Sequence, residues 1–464
     1  MKNYNEWIAE IDSELKPDKS FDIIKRPLKI GERRAVLYFI DGFIKDEVYE
    51  KILEFLYKQT AEDIAEINDM SRFAENKLPY VETDAVYTAA EVVTAVLSGP
   101  SVLIIEGIHG ALTVDARTYP MRGVEEPQKD RSLRGPRDGF GESLVRNTAL
   151  IRRRLRDPKL ITEKFTVGDP AQCDVVMCYV DGKAPDRLVS ALRKKLSSLK
   201  TESLNMSQQS LAECLIKTGW YNPFPKIRYT ERPDAAAAML EEGSVTVICD
   251  NSPQVMFLPT SIFDFLQETD DYYFPPVVGS YLRITRMLIF FLALVLTPMW
   301  YLLVKTPDSL PDWLSFIKIN EPAAVPLLFQ LLIAEFMIDG LKLASLNTPS
   351  MLSNSLSVVG GLILGDYAVQ ADWFSPQTIL YMAIVAIASF TQQSYELGYA
   401  VKFLRIFLLV ASEFLGWWGF ALGLAAAVLL IALNRTVDGS RSYLYPLIPF
   451  NGRALSRLFL RRKK

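Results

Sequence analysis

The sequence is poor in the residues that most often carry chemistry. Its 464 residues include one histidine, His109, and four cysteines, Cys173, Cys178, Cys214 and Cys249. None of the cysteines forms a CxxC pair. A zinc site needs three or four nitrogen or sulfur ligands, so no metal centre is expected. No disulfide framework is expected either, and reduced thiols on a cytoplasmic face fit the pattern. GxGxxG, GxxxxGK[ST] and GxSxG are all missing, which removes the usual phosphate-cradling loops and the nucleophile elbow. No pair of carboxylates stands out as a hydrolytic site. We therefore assign no catalytic residue and no cofactor. Charge of one sign is lacking too: 51 Lys and Arg face 54 Asp and Glu, a net charge of −3. Nucleic-acid binders are clearly basic, so that class of partner is excluded. Residues 1–22 contain no apolar core of seven or more, so the N-terminus does not read as a signal peptide.

What is present is a change of texture near Arg286. Before it, charges of both signs are dense; after it come apolar runs separated by short loops. The fold class is a multi-domain membrane protein, with two small α/β lobes followed by an α-helical transmembrane domain of about five segments. The boundaries are a leader over 1–28, a first lobe with a basic helix over 29–158, a second lobe over 159–275, a transmembrane domain over 276–440 and a basic tail over 441–464.

In the first lobe RAVLYFI (34–40) reads as a buried strand closed by Asp41-Gly42. Residues 46–58 place Val48, Ile52, Phe55 and Leu56 on one helical face. Residues 83–97 read as a helix stopped by Ser98-Gly99-Pro100. Strands follow at 101–106 and 111–116. RGPRDGF (134–140) then leads into a basic helix over 141–156. Its arginines suit an anion clamp or a solvated face that also meets a neighbouring subunit. Arg137, Arg152 and Arg153 are the candidates for such a contact. Arg137, Asp138 and Glu142 are alternatively partners for one another. The second lobe reads as strands at 172–180, 226–230, 244–249 and 254–258, with helices at 185–199 and 233–241. Asp250-Asn251 makes a hairpin turn, and a small mixed sheet is expected.

In the membrane region residues 287–304 are the cleanest span, roughly 27 Å long at about 1.5 Å per residue. Further segments are expected at 323–338, 351–369, 377–390 and 403–433. The last is too long for one crossing and is interrupted by Glu413 and by Gly416-Trp417-Trp418-Gly419. It reads as a tight helical pair, or as a crossing plus an interfacial segment. The terminal RRKK favours a cytoplasmic C-terminus. That requires an even number of crossings, so one of the five segments is re-entrant or double.

Residues 351–369, MLSNSLSVVGGLILGDYAV, are too polar and too small-sided to face lipid. Close helix packing explains this, and so does a water-filled path closed by an apolar ring. The pore-lining candidates are Ser353, Asn354, Ser357, Val358, Gly361 and Gly365. Glu335 and Glu413 are the intramembrane acidic candidates. Each belongs to an ion path or is neutralised by a cation such as Lys342, Lys402 or Arg405.

RGPRDGFGESLVRNTALIRRRLRDPKL (134–160), TERPD (230–234) and VVGGLILGDYAVQA (358–371) occur in this order and spacing. On these stretches the chain resembles the A subunits of the GerA family of spore germination receptors, over nearly its whole length. The resemblance implies a multi-pass protein of the inner spore membrane that acts in endospore germination, with its soluble lobes facing the core. It further implies homo-oligomerisation into a channel for monovalent ions, lipid bilayer around it, and other membrane proteins of the germination machinery as partners. It brings no catalytic residues, and it shifts the balance for 351–369 from packing towards pore lining. Two other classes compete: a non-conducting scaffold or signalling subunit, and, with least support, a membrane-bound enzyme with its site between the lobes.

Overall fold

The RAVLYFI run is strand β2 (Arg33–Ile40) of an antiparallel five-stranded sheet. In the computed structural model of the chain, the residues described are 3–78, 82–117, 135–168, 172–199, 208–216, 221–268, 271, 273–306, 312–319, 323–347, 367–392, 394–437, 439–440 and 442–460. They divide into two compact units: 1–218 with 226–260, and 219–225 with 261–464.

The first unit holds both lobes. The first sheet has the order β1-β2-β4-β5-β3, from β1 (Ile23–Ile30), β2, β3 (Thr83–Val86), β4 (Ser101–Ile105) and β5 (Ala111–Val114). Side chains alternate across a strand, and here both faces are covered. Ala35 and Leu37 join a core with Tyr49, Ile52 and Leu56 of helix α2 (Asp46–Tyr57). That side also carries the short helices α3 (Ala61–Ala65) and α4 (Met70–Lys77). Val36, Tyr38 and Ile40 turn to the other side, against Ile11 and Leu15 of helix α1 (Tyr4–Leu15) and Val92 and Val96 of α5 (Ala89–Ser98). The leader, expected as a tethered segment or a surface helix, includes a docked helix whose Ile11 and Leu15 are fully buried.

The second sheet has the order β6-β7-β9-β10-β8, from β6 (Leu160–Val167), β7 (Cys173–Val180), β8 (Arg228–Thr230), β9 (Val245–Cys249) and β10 (Val255–Leu258). Every ladder is antiparallel, so the expected mixed sheet is corrected. Helices α7 (Asp186–Ser198) and α9 (Pro233–Glu241) lie where expected, and α8 (Gln208–Leu215) was not foreseen. The basic helix, α6 (Leu144–Arg154), joins the two lobes. Its Ala149 belongs to the first core, while Leu144, Leu150 and Ile151 pack with Val176 and Ile248 of the second.

The two sheets repeat one connectivity. Each begins with a hairpin whose second strand runs into Asp-Gly and then a helix: Asp41-Gly42 before α2, Asp181-Gly182 before α7. Each later has a short strand, a helix, a glycine with positive φ (Gly99 or Gly243) and a closing pair of strands. No run of identical residues in the sequence marks this duplication.

The second unit is helical. Its main elements are α10 (Pro276–Lys305), α11 (Leu327–Asn347), α12 (Pro376–Phe390), α13 (Tyr395–Ala432) and α14 (Gly452–Phe459). Among the described residues α10 and α13 are long and apolar enough to cross a membrane. Two of the five expected segments, 287–304 and 403–433, fall on these helices. Of the others, α11 carries Glu335, Asp339 and Lys342, α12 spans 15 residues, and residues 351–366 lie outside the described ones.

The long run contains a fold-back. Gly416 has φ 57° and ψ −139°, outside helical geometry, a left-handed conformation that suits glycine. Beyond it the chain packs on itself: a Cβ on Gly419 would sit 2.0 Å from the Ala411 carbonyl oxygen, and one on Gly423 2.7 Å from Leu408. In a straight helix residues 408 and 423 would be more than roughly 20 Å apart. The tight helical pair is therefore the observed alternative.

Candidate functional site: an ion network among apolar helices

Glu335, Asp339 and Lys342 are spaced i, i+4, i+7 on α11, and Lys402 and Arg405 i, i+3 on α13, so each set shares one helical face. The two faces meet. Arg405 donates from Nε to Glu335 Oε1 at 2.5 Å and from Nη2 to Oε2 at 2.9 Å, a fork-to-fork pair. Its Nη1 donates to the Ala293 carbonyl of α10 at 2.6 Å, so three helices share one guanidinium. Lys402 donates to the Glu335 carbonyl at 3.0 Å and to the Asp339 carboxylate. The Glu335 and Arg405 side chains are 3% and 4% exposed, so neither is solvated by bulk water. Lys342 lies over the rings of Phe390 and Tyr399, at 5.3 and 5.9 Å from their centroids.

Among the described residues, three cations and two carboxylates thus gather on these faces. Beside them is a cavity of about 20 Å³, lined by Asp339, Lys342, Ser389, Gly398, Tyr399 and Lys402 among others. That is room for about one water molecule. Such a network orders three helices and holds charge where apolar surroundings make isolated charge costly. For Glu335 the reading by pairing is the observed one.

Glu413 has a different setting. It lies close to the Gly416 fold-back and accepts from Lys305, the last residue of α10, at 2.7 Å; the two side chains are 33% and 45% exposed. Its sequence position inside an apolar run hides this location at a helix end. The pore-lining candidates Ser353, Asn354, Ser357, Val358, Gly361 and Gly365 lie outside the described residues.

The arginine candidates separate. Arg137 is exposed, and Arg153 is half-buried in the last turn of α6. Arg152 is fully buried. It donates to Asp22 from Nε at 2.9 Å and from Nη2 at 3.1 Å, and Asp22 also accepts from Thr162. Arg152 is therefore taken up inside the chain and not offered to a partner. Asp138 is held by Arg154 at 2.5 Å, whereas Arg137 was its expected partner. Asp22 was missed because the polar stretch around it has no periodicity that marks a buried position. Cys173 and Cys249 bring their sulfurs to 3.6 Å as free thiols, and burial pushes both thiol pKa values up. Among the described residues no group of His, Cys, Asp or Glu is placed to hold a metal ion.

Apolar exposure also distinguishes the units. Among the described residues the first unit exposes two large hydrophobic side chains, Tyr57 and Tyr87. The helical unit exposes many, among them Leu288, Phe291, Phe403, Phe407, Phe414 and Trp418. An apolar surface of that extent needs a covering. Fold and site together define a class: a protein with paired α/β lobes and helices apolar enough to enter a membrane.

Within that class the chain belongs to the Bacillus/Clostridium GerA spore germination protein family, whose model matches residues 9–464. Stage V sporulation protein AF of Bacillus subtilis (strain 168) is 36% identical over 450 residues, 96% of this chain and 90% of that protein. The segments 220–234 and 250–265 already point to that relative. Spore germination protein KA of the same organism is 28% identical over 462 residues, 98% of this chain and 83% of that protein. The crystal structure of the N-terminal domain of the A subunit of the Bacillus megaterium spore germinant receptor GerK3 aligns with 55% of this chain and 94% of that chain, at 25% identity and a TM-score of 0.41.

Proposed function

We propose that the chain is a membrane subunit acting in endospore germination, which oligomerises into an ion-conducting channel of the inner spore membrane and promotes ion release. Its lobes face the spore core, and its partners are the bilayer, further copies of itself and other membrane proteins of the germination machinery. It is not an enzyme. Family membership supports the germination role, as do relatives named for sporulation and spore germination. The observation that carries the membrane reading is the Glu335–Arg405 pair, nearly dry and shared by three helices of a unit that is apolar on its outside. A protein that invests charge inside such helices fixes their mutual arrangement, as the wall of a conduction path requires. In this reading residues 351–369 line the path and Val358 forms its apolar ring.

The test is ion efflux from liposomes holding the purified full chain. Val358→Ala is expected to raise efflux of monovalent cations, and Gly361→Phe to abolish it. If assembled oligomers leave efflux at the level of empty liposomes, the channel reading is lost.

The exposure of Arg137 favours a second reading, a non-conducting scaffold. There Arg137→Glu with Arg153→Glu would abolish co-purification of partner subunits, and changes at Val358 or Gly361 would act through stability alone.

A further inference from the structure

The last described helix combines three properties. In α14, Leu455 and Leu458 pack into a core with Met287 and Phe290 of α10. Those two residues are the first turn of the apolar span, directly after Arg283 and Arg286. Arg286 is held by the Leu266 carbonyl at 3.0 Å, by Glu268 at 2.8 Å and by Asp271 at 3.0 Å. This collar of ion pairs marks where polar surroundings end along α10, and α14 packs one turn beyond it.

The apolar face of α14 is thus satisfied by its own unit, yet large apolar side chains remain outside. Ile448, Phe450, Phe459 and Leu460 are 52%, 74%, 38% and 49% exposed. Arg453 is exposed among them. Residues 439–464 contain no Asp or Glu, but hold Arg441, Arg453, Arg457, Arg461, Arg462, Lys463 and Lys464. Exposed apolar side chains beside the exposed Arg453, on a helix that packs where a span leaves its polar collar, match one environment. It is the boundary between acyl chains and headgroups, where rings sink in and cations meet phosphate. A protein partner would need acidic groups interleaved with apolar pockets, and nothing at this position calls for that alternation.

We propose that α14 with its flanking turn is an interfacial anchor that recognises anionic lipid headgroups. The phosphate and the net negative charge of the lipid are what it reads; Ile448, Phe450 and Phe459 supply depth. The inference rests on the helical unit being embedded in a membrane, and it is independent of conduction.

The test uses the full chain in nanodiscs of phosphatidylcholine alone or mixed with phosphatidylglycerol, with amide hydrogen exchange read over residues 446–460. Exchange is expected to be about tenfold slower with phosphatidylglycerol at low salt, and the difference to close at about 1 M salt, where the Debye length is about 3 Å. Arg453→Gln with Arg457→Gln is expected to erase the lipid difference, and Phe450→Ser to speed exchange in both lipids. Equal exchange in the two lipids at low salt overturns the anchor while leaving the membrane reading intact. A chain that does not enter nanodiscs at all overturns both.

Discussion

Arg152–Asp22 in the first unit and Arg405–Glu335 in the helical unit are both buried arginine–carboxylate pairs, and they are built differently. Arg152–Asp22 is closed, since Asp22 takes two bonds from the guanidinium and one from Thr162, and Arg152 also reaches the Asp157 carbonyl. Arg405–Glu335 is open-ended. It continues through Lys402 to Asp339 and adjoins Lys342 and a water-sized cavity. The first arrangement is what a lock between two lobes requires. The second is a chain of linked charges beside room for water, and that difference makes the helical network the candidate site.

The comparison has a chemical edge. An arginine stripped of its partner cannot lose its proton, whereas a stranded carboxyl can gain one. The largest effect is therefore expected for Glu335→Ala, which leaves Arg405 and Lys402 facing Asp339 alone. Denaturant unfolding of the full chain in detergent is expected to show a loss of about 3–5 kcal/mol. Arg152→Ala is expected to cost about 3 kcal/mol. If Glu335→Ala costs less than Arg152→Ala, the contrast between the two pairs fails.

A third change examines the fold-back. Gly419→Val places a side chain against the Ala411 carbonyl, and overpacking of this kind costs about 1–3 kcal/mol. Gly398→Ala, where a Cβ meets only the Gln392 side chain at 3.8 Å, is the matched control and should change the unfolding midpoint little.

The smallest effect belongs to a half-buried pair, Lys16–Asp181. Its lysine holds the Asp181 carboxyl below its usual range. With the folded value depressed, the contribution is complete above the ordinary carboxyl value of about 3.9 and is lost as pH falls towards the folded one. Lys16→Ala is expected to cost less than about 1 kcal/mol at pH 7, and nothing once the carboxyl is protonated. Unfolding midpoints at two pH values check this.

Legibility in the sequence followed periodicity. RAVLYFI, the α2 face and the Pro233 helix are visible because apolar spacing and stop signals agree there. Strand β1 was read as leader because Pro27 stands inside it; at a sheet edge a proline removes no ladder bond that is needed. Strand β3 was absorbed into the following helix, since TDAVYTAAEVVTAVL hides the cap at Thr88, whose side chain accepts from Glu91 N. Strand β6, LITEKFTV, alternates only in its second half, which is exposed on alternate residues. In the helical unit the carboxylates of α11 were legible as unusual. Their partners were legible only as choices, because i, i+3 spacing on α13 names a face without naming what it meets. The doubling of 403–433 was legible from length together with Gly416.

The Asp22–Arg152 lock joins residues 130 positions apart, and Phe21 likewise donates to the Thr162 carbonyl. A ribosome adding about 5–20 residues per second delivers Arg152 on the order of ten seconds after Asp22. Through that interval Asp22 lacks the guanidinium that pairs with it. The five strands of the first sheet end at Val114, so it is the locking of the two lobes, rather than the first sheet, that waits for Arg152.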